Sequence, residues 1–211
     1  SPNDYDVVIK LIPTKNDNYF VCMRLCSIQD NRFAYRKNVL PTSMHPSQAA
    51  LIVSLAKPYL KETAQIMDPF CGVGTLLIER AHLVPAREIY ATDTYGDAIT
   101  MGRENAALAK TRINFIHRDF FDFRHDYKFD ELITDMPVRN RQTKAEMELF
   151  YERFFDKAAE HLVSGGIIVM YSNEIGFVKK QIRLRVEYRL LQETCILDKK
   201  DFYLFVIRYE D

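Results

Sequence analysis

From residue 65 to residue 184, short apolar runs alternate with segments whose apolar residues recur every three to four positions. The runs 65–67, 88–93, 113–118, 131–135 and 166–172 read as strands, and 74–84, 96–110, 143–163 and 175–184 as helices. Two last runs, 188–197 and 201–210, flank the turn-like "DKKD" and read as an antiparallel hairpin. Alternating β and α units leave few topologies open. They predict a mostly parallel sheet of seven strands, with right-handed crossovers and helices on both faces. Ligands of such sheets bind outside the carboxyl ends of the strands, near the point where strand order reverses.

Upstream of this region the period changes. Residues 5–12 (YDVVIKLI) and 19–27 (YFVCMRLCS) alternate around "TKNDN", which predicts a β-hairpin. "NRFAYRKNVLP" follows as a linker or a third short strand. Pro46 then opens "PSQAALIVSLAKPYL", an apolar helix. The division expected is a hairpin and linker over 1–39 and one larger domain over 40–211. Ser at position 1 instead of Met suits a piece of a longer chain.

Charge narrows the partners. Lys plus Arg and Asp plus Glu both number 29, a formal net charge of zero, which argues against gripping nucleic acid by bulk charge. Cys22 and Cys26 lack a second ligand pair at zinc spacing, so the four cysteines are expected to be buried free thiols. No run approaches the ~20 apolar residues of a membrane span. These features predict a soluble, cytoplasmic protein with no membrane partner and no metal.

The acids sit where the topology puts ligands. In "QIMDPFCGVGTLLIERA", Asp68 ends the first strand of the alternating region, and Gly72 and Gly74 lie between that strand and a helix. Residue 77 is Leu, so the third glycine of a dinucleotide fingerprint is missing, and no Lys follows as in a phosphate-binding P-loop. An acid here repels phosphate and favours a cationic end, such as an amine beside a sulfonium. Asp93 ends the next strand, where a carboxylate suits a ribose diol. Asp119 ends the third, where it can accept from an adenine amine, with Phe120 and Phe121 as an apolar wall. Adenosine with a positively charged tail, S-adenosylmethionine, meets all three. Asp135 ends the fourth strand in "ITDMPVRN". With a backbone carbonyl beside Pro137, it can hold both hydrogens of a planar amine and leave the lone pair free for methyl transfer.

"MDPFCGVGTLLIERA" resembles motif I of the class I S-adenosylmethionine-dependent methyltransferases. More narrowly it resembles the RNA guanine-N2 methyltransferases that often carry an N-terminal THUMP domain, and related RNA methylases. "LPTSMHPSQAALI" at 40–52 is similar to the same group. The resemblance implies a Rossmann-like fold and an enzyme of RNA modification acting on tRNA or rRNA, with RNA captured in part by a domain outside this chain. It implies that Asp68, Pro69, Phe70, Cys71, Gly72, Gly74 and Thr75 line the methionine end of the cofactor. Asp93 and Thr94 would take the ribose, and Asp119 with Phe120 the adenine. His45 would border the cofactor or simply pack, and Asp135 and Pro137 would be catalytic. The sequence departs from the family at 138, where Val replaces the aromatic that stacks on the target base. Phe150, Tyr151 and Phe154 on the next helix are candidates to replace it. The basic residues Arg139, Arg141 and Lys144 flank this motif, while those of 179–189 read as a solvated face. Two other readings stay open: a DNA-adenine or small-molecule methyltransferase, and a non-catalytic binding module.

Overall fold

A computed structural model describes residues 7–24, 31–197 and 201–211. The chain divides into two compact units, Ser1–Phe33 and Ala34–Asp211. In the first, β1 (Val8–Pro13) pairs antiparallel with β2 (Tyr19–Arg24). The hairpin turn is closed by Thr14, whose amide and hydroxyl both donate to the Asn18 carbonyl, at 2.8 and 3.0 Å. Residues 5–6 and 25–27 of the expected strands lie outside the described residues. No third strand forms over 31–41; that stretch is turn and coil.

The second unit carries the alternating pattern. Its elements are α1 (Pro46–Ala56), β3 (Gln65–Asp68), α2 (Thr75–Leu83), β4 (Glu88–Asp93), α3 (Gly96–Leu108) and β5 (Asn114–His117). They are followed by β6 (Phe129–Asp135), α4 (Lys144–His161), β7 (Leu162–Ser172), α5 (Ile175–Leu184), β8 (Tyr188–Leu197) and β9 (Phe202–Tyr209). Seven strands form one sheet in the order β5-β4-β3-β6-β7-β9-β8, and only β9 runs antiparallel to its two neighbours. The chain moves outward through β4 and β5, then returns to β6 on the other side of β3. Right-handed crossovers therefore place α2 and α3 on one face and α4 on the other. The reversal falls between β3 and β6, whose carboxyl ends are Asp68 and Asp135.

Local chemistry sets the element ends. Helix α4 starts at a capping box: the Glu146 amide donates to Thr143 Oγ1 (3.2 Å), and the Thr143 amide donates to Glu146 Oε2 (2.7 Å). Its buried face, Met147, Tyr151, Phe154, Phe155, Ala158 and His161, follows the helical repeat expected of a core stripe. β7 begins four residues earlier than the apolar run suggested. The pairing of β6 with β7 skips across Val163–Gly166, because Gly165–Gly166 bulges out of the ladder. Cys71 is buried, whereas Cys22 and Cys195 are exposed thiols, contrary to the expectation of burial. Every residue of β2 is exposed, and along β8 Cys195 falls on the exposed phase of an alternation with half-buried neighbours. Cys26 lies outside the described residues. Among the described residues no helix is long and apolar enough to cross a membrane.

One buried ion pair ties the first face together. Arg80 of α2, fully buried, donates through Nε and Nη2 to Glu131 of β6 at 2.9 Å each. It also donates to the carbonyls of Lys61 (2.9 Å) and Val84 (2.5 Å), and the Lys61 amide donates to Glu131 (2.9 Å). Arg80→Ala leaves the Glu131 carboxylate without its cation in a dry site. The expected cost is about 3–5 kcal/mol of unfolding free energy, measured by urea denaturation.

Candidate active site

A cavity of about 380 Å³ opens at the carboxyl ends of β3, β4 and β6. Asp68, Asp93 and Asp135 all line it, and among the described residues no Lys or Arg does. Three hydrogen bonds stitch the loop after β3 to the end of β4, and a fourth, within the turn after β4, shares the same acid. Thr92 Oγ1 donates to the Pro69 carbonyl (3.0 Å), and the Cys71 amide donates to the Thr92 carbonyl (3.0 Å). The Gly72 amide donates to Asp93 Oδ2 (2.8 Å), and the Tyr95 amide to Asp93 Oδ1 (2.9 Å). Asp93 is thus a structural clamp, and each of its oxygens retains a lone pair.

The two glycines do different work. Gly72, at φ +50°, borders the cavity, and a Cβ there would meet nothing within 4 Å. Gly74, at φ +78°, caps α2, and a Cβ there would stand 2.7 Å from the Phe115 ring. The first leaves room for a ligand and the second permits close packing on β5.

Burial without a counter-charge sets the electrostatics. Asp68 is 1% exposed; burial pushes its carboxyl well above the usual range, opposed by the Phe70 amide (3.0 Å) and reinforced by the charges of Asp135 and Asp93. Burial raises the Asp135 carboxyl from 3.8 to about 7. Cys71 is raised as well, by burial first and then by Asp68 and Asp93, which makes it a poor nucleophile at neutral pH. The hydroxyl of Thr75, buried at the first turn of α2 on the cavity wall, has no hydrogen-bond partner among the described residues. A ligand with a cationic centre and a hydrogen-bonding group answers both conditions.

A strap over 34–45 completes the wall with Leu40, Thr42, Ser43 and Met44. Tyr35 donates to Glu79 of α2 (2.5 Å), and Arg36 Nη2 donates to the carbonyls of Ser43 (3.4 Å) and Met44 (3.3 Å). Asn105 of α3, fully buried, accepts from the amides of Lys37 (3.2 Å) and Asn38 (3.0 Å) and donates to the Asn38 carbonyl (2.9 Å).

Of the residues singled out in the sequence, the fold brings Asp68, Phe70, Cys71, Gly72, Thr75, Asp93, Asp135 and Pro137 to this cavity. Val138 lines it too, while the other residues assigned to the cofactor do not. Gly74 and Pro69 are buried behind the loop, and Thr94 is exposed, its carbonyl in contact with His117 Nε2 (2.9 Å). His45 caps α1, where its Nδ1 accepts from the Ser47 amide (3.3 Å). Asp119 is exposed and caps a short 3-10 turn through the Phe121 amide (2.9 Å). Phe120, 1% exposed, belongs to the core, where its ring meets Phe154 and His161, so its face is not free for an adenine. Sequence reasoning missed Tyr95, Ala98 and the strap residues. Tyr95 lies two residues past an acid already singled out, and "LPTS" lies inside the stretch that carried the resemblance. In the 179–189 run, Lys179 pairs with Glu193 (2.8 Å), Lys180 with Glu148 and Arg185 with Asp156 (2.5 Å), as on a solvated face.

Comparison with known proteins gives this geometry its family. The model of UPF0020, described as an RMKL-like methyltransferase domain, matches residues 34–194. A tRNA (guanine(10)-N2)-dimethyltransferase of Methanothermobacter thermautotrophicus is 31% identical over 187 residues, 83% of this chain and 54% of that protein. A release factor glutamine methyltransferase of Lactococcus lactis is 25% identical over 64% of this chain and 56% of its own length. The chain therefore spans about half the length of these curated relatives. In fold it is similar to TrmN from Thermus thermophilus, with a TM-score of 0.72 and 21% identity over 92% of this chain and 57% of that one. It is also similar to N-methyltransferase NodS from Bradyrhizobium japonicum, solved with S-adenosyl-L-homocysteine, with a TM-score of 0.61 and 12% identity over 78% and 87%. The chain belongs to the RMKL-like methyltransferase-domain family, and its methyl donor is S-adenosylmethionine. The cation-free, carboxylate-lined cavity with the orphaned Thr75 hydroxyl fits that donor.

Calorimetric titration with S-adenosylhomocysteine should show saturable binding, with none for NADH. Asp93→Ala removes an acceptor and releases the Gly72 amide, so affinity should fall about 10–100-fold. Asn105→Ala unpins the strap: amide exchange at Lys37 and Asn38 should accelerate and affinity should drop severalfold.

Proposed function

We propose that this methyltransferase domain acts on an exocyclic amine of a base in structured RNA, tRNA or rRNA, with guanine N2 the favoured nitrogen. The observation that carries the reading is Asp135: an acid with no side-chain hydrogen bond among the described residues, at the mouth of a cavity that lacks any cation. Two named relatives support it, because a guanine amine and a glutamine amide are both planar, weakly nucleophilic nitrogens. Such a nitrogen needs its hydrogens held and its lone pair turned out of conjugation.

S-Adenosylmethionine supplies an electrophilic methyl on a sulfonium. Asp135 accepts one N–H of the amine, and the Met136 carbonyl, fixed in place before Pro137, accepts the other. The Met136 amide donates to the Tyr171 carbonyl (2.9 Å), which continues the β6–β7 ladder one residue past the acid and holds this turn rigid. Asp135 then faces the proton that the nitrogen sheds once it is alkylated. Asp68 would supply negative charge for the sulfonium, and Asp93 keeps lone pairs that would accept from the ribose diol. Tyr95 and Ala98 form the wall beyond them.

The raised carboxyl gives two tests of opposite sign. Methyl transfer to bulk tRNA or rRNA should rise with pH to a plateau above an apparent pKa at or below about 7, because the ionised acceptor is the competent form and a bound sulfonium favours it. Asp135→Asn should cut the rate about 10²–10³-fold and flatten that profile. Stability runs the other way. The folded carboxyl lies above its unfolded value of 3.8, so the native state is most stable below that pH and loses stability as pH rises through about 7. Asp135→Asn should therefore raise the melting temperature of the ligand-free chain by a few degrees at pH 8 and leave it unmoved near pH 4. Parallel assays with DNA and with release-factor protein decide the acceptor. Methyl label in either of those and not in RNA overturns the reading.

A further inference from the structure

An aromatic is missing at 138, where Val is 52% exposed and offers no π-face. Aromatic surface is present nearby instead. Phe70, which lines the same cavity as Asp135, has the ring of Phe150 at 5.4 Å and 37° and that of Phe121 at 6.5 Å and 53°. Phe121 and Phe150 meet edge to face at 5.5 Å. These three rings are half-buried, while Phe120, Tyr151 and Phe154 beneath them are at most 1% exposed. Of the three candidates on α4, burial thus removes Tyr151 and Phe154 and leaves Phe150. The exposed Arg153 holds its guanidinium 4.2 Å from the centroid of Phe121. Arg141 and Lys144, at the entrance to α4, are exposed too.

The geometry points to Phe70, Phe121 and Phe150 as a nucleobase subsite that takes over the stacking function absent at 138, with Arg153 as its phosphate contact. Phe150 is the specificity-determining member, since its neighbours on α4 are sealed in the core. The inference rests on the reading of a nucleic-acid base as acceptor. Three adjacent half-open rings, with a cation lying over the face of Phe121 and the rings of Phe70 and Phe150 beside it, suit a planar, π-stacking, anionic partner better than an aliphatic one. The base would lie on the rings with its amine turned towards Asp135, and its phosphate would run towards Arg153 and the start of α4.

The chain contains no tryptophan, so Phe150→Trp installs a single reporter that keeps a π-face. Saturated with S-adenosylhomocysteine and titrated with a short oligouridylate bearing one guanosine, it should show saturable quenching. Leu184→Trp, at a 65% exposed position on α5, should not respond. Binding of the strand, followed by anisotropy of a labelled copy, without quenching at 150 overturns the subsite and leaves the acceptor reading intact. Failure of RNA and DNA strands alike to bind the unaltered chain overturns both. Quenching by S-adenosylhomocysteine alone, with nothing added by the strand, would make the trio an adenine wall and overturn the proposal too. In turnover, Phe150→Ala should raise KM for the RNA acceptor about tenfold with unchanged affinity for S-adenosylhomocysteine, and Phe150→Tyr should restore most of it.

Discussion

Three carboxylates share one cavity to which, among the described residues, no Lys or Arg contributes, and the surrounding architecture is what makes that tolerable. Each acid ends a parallel strand, so the sheet fixes their backbones before their charges meet. Burial drives the Asp68 carboxyl upward and brings Asp135 to about 7, which means the ligand-free site meets its electrostatic cost partly by protonation. A sulfonium donor relieves the same repulsion when it arrives. Burial of carboxylates without a counter-charge thus accounts both for the raised carboxyls and for the fit to a cationic donor.

Strand β6 shows both ways a sheet can treat an acid. Glu131 and Asp135 lie four residues apart and so point to the same side of the strand. Glu131 sits inside the layer, where Arg80 forks onto it and the Lys61 amide completes it. Asp135 sits at the open end with no cation. The first acid locks α2, the segment before β3 and β6 together. The second is left available for chemistry. Separating stability from function along one strand leaves Asp135 uncompensated while Glu131, on the same strand, is held by a cation and an amide.

Backbone amides do much of the positioning. Asp93 anchors the glycine loop through Gly72 and starts α3 through Tyr95, so the residue proposed to hold the ribose also sets the cavity's shape. Asn105 plays the corresponding part for the strap. One amide side chain satisfies three backbone groups from a segment nearly 70 residues away in sequence.

The sequence by itself determined the alternation of elements, the parallel sheet with its antiparallel last strand, and the acids at the strand ends. It could do so because hydrophobic period and turn chemistry are local, and because a strand's carboxyl end is a position along the chain. It also determined the cofactor class, since acid before a glycine loop and the lack of a phosphate-binding lysine are local features too. What it could not carry was which side of a residue faces which neighbour. Phe120 and Phe121 are adjacent, yet one is sealed in the core and the other half-open; Gly72 and Gly74 are two apart, yet one borders the ligand space and the other abuts Phe115. Asp119 reads like Asp93 in sequence but ends on the surface. The strap joins the site only because Tyr35 and Asn105 find partners far along the chain. Those choices depend on side-chain packing across elements, and only the tertiary structure decided them.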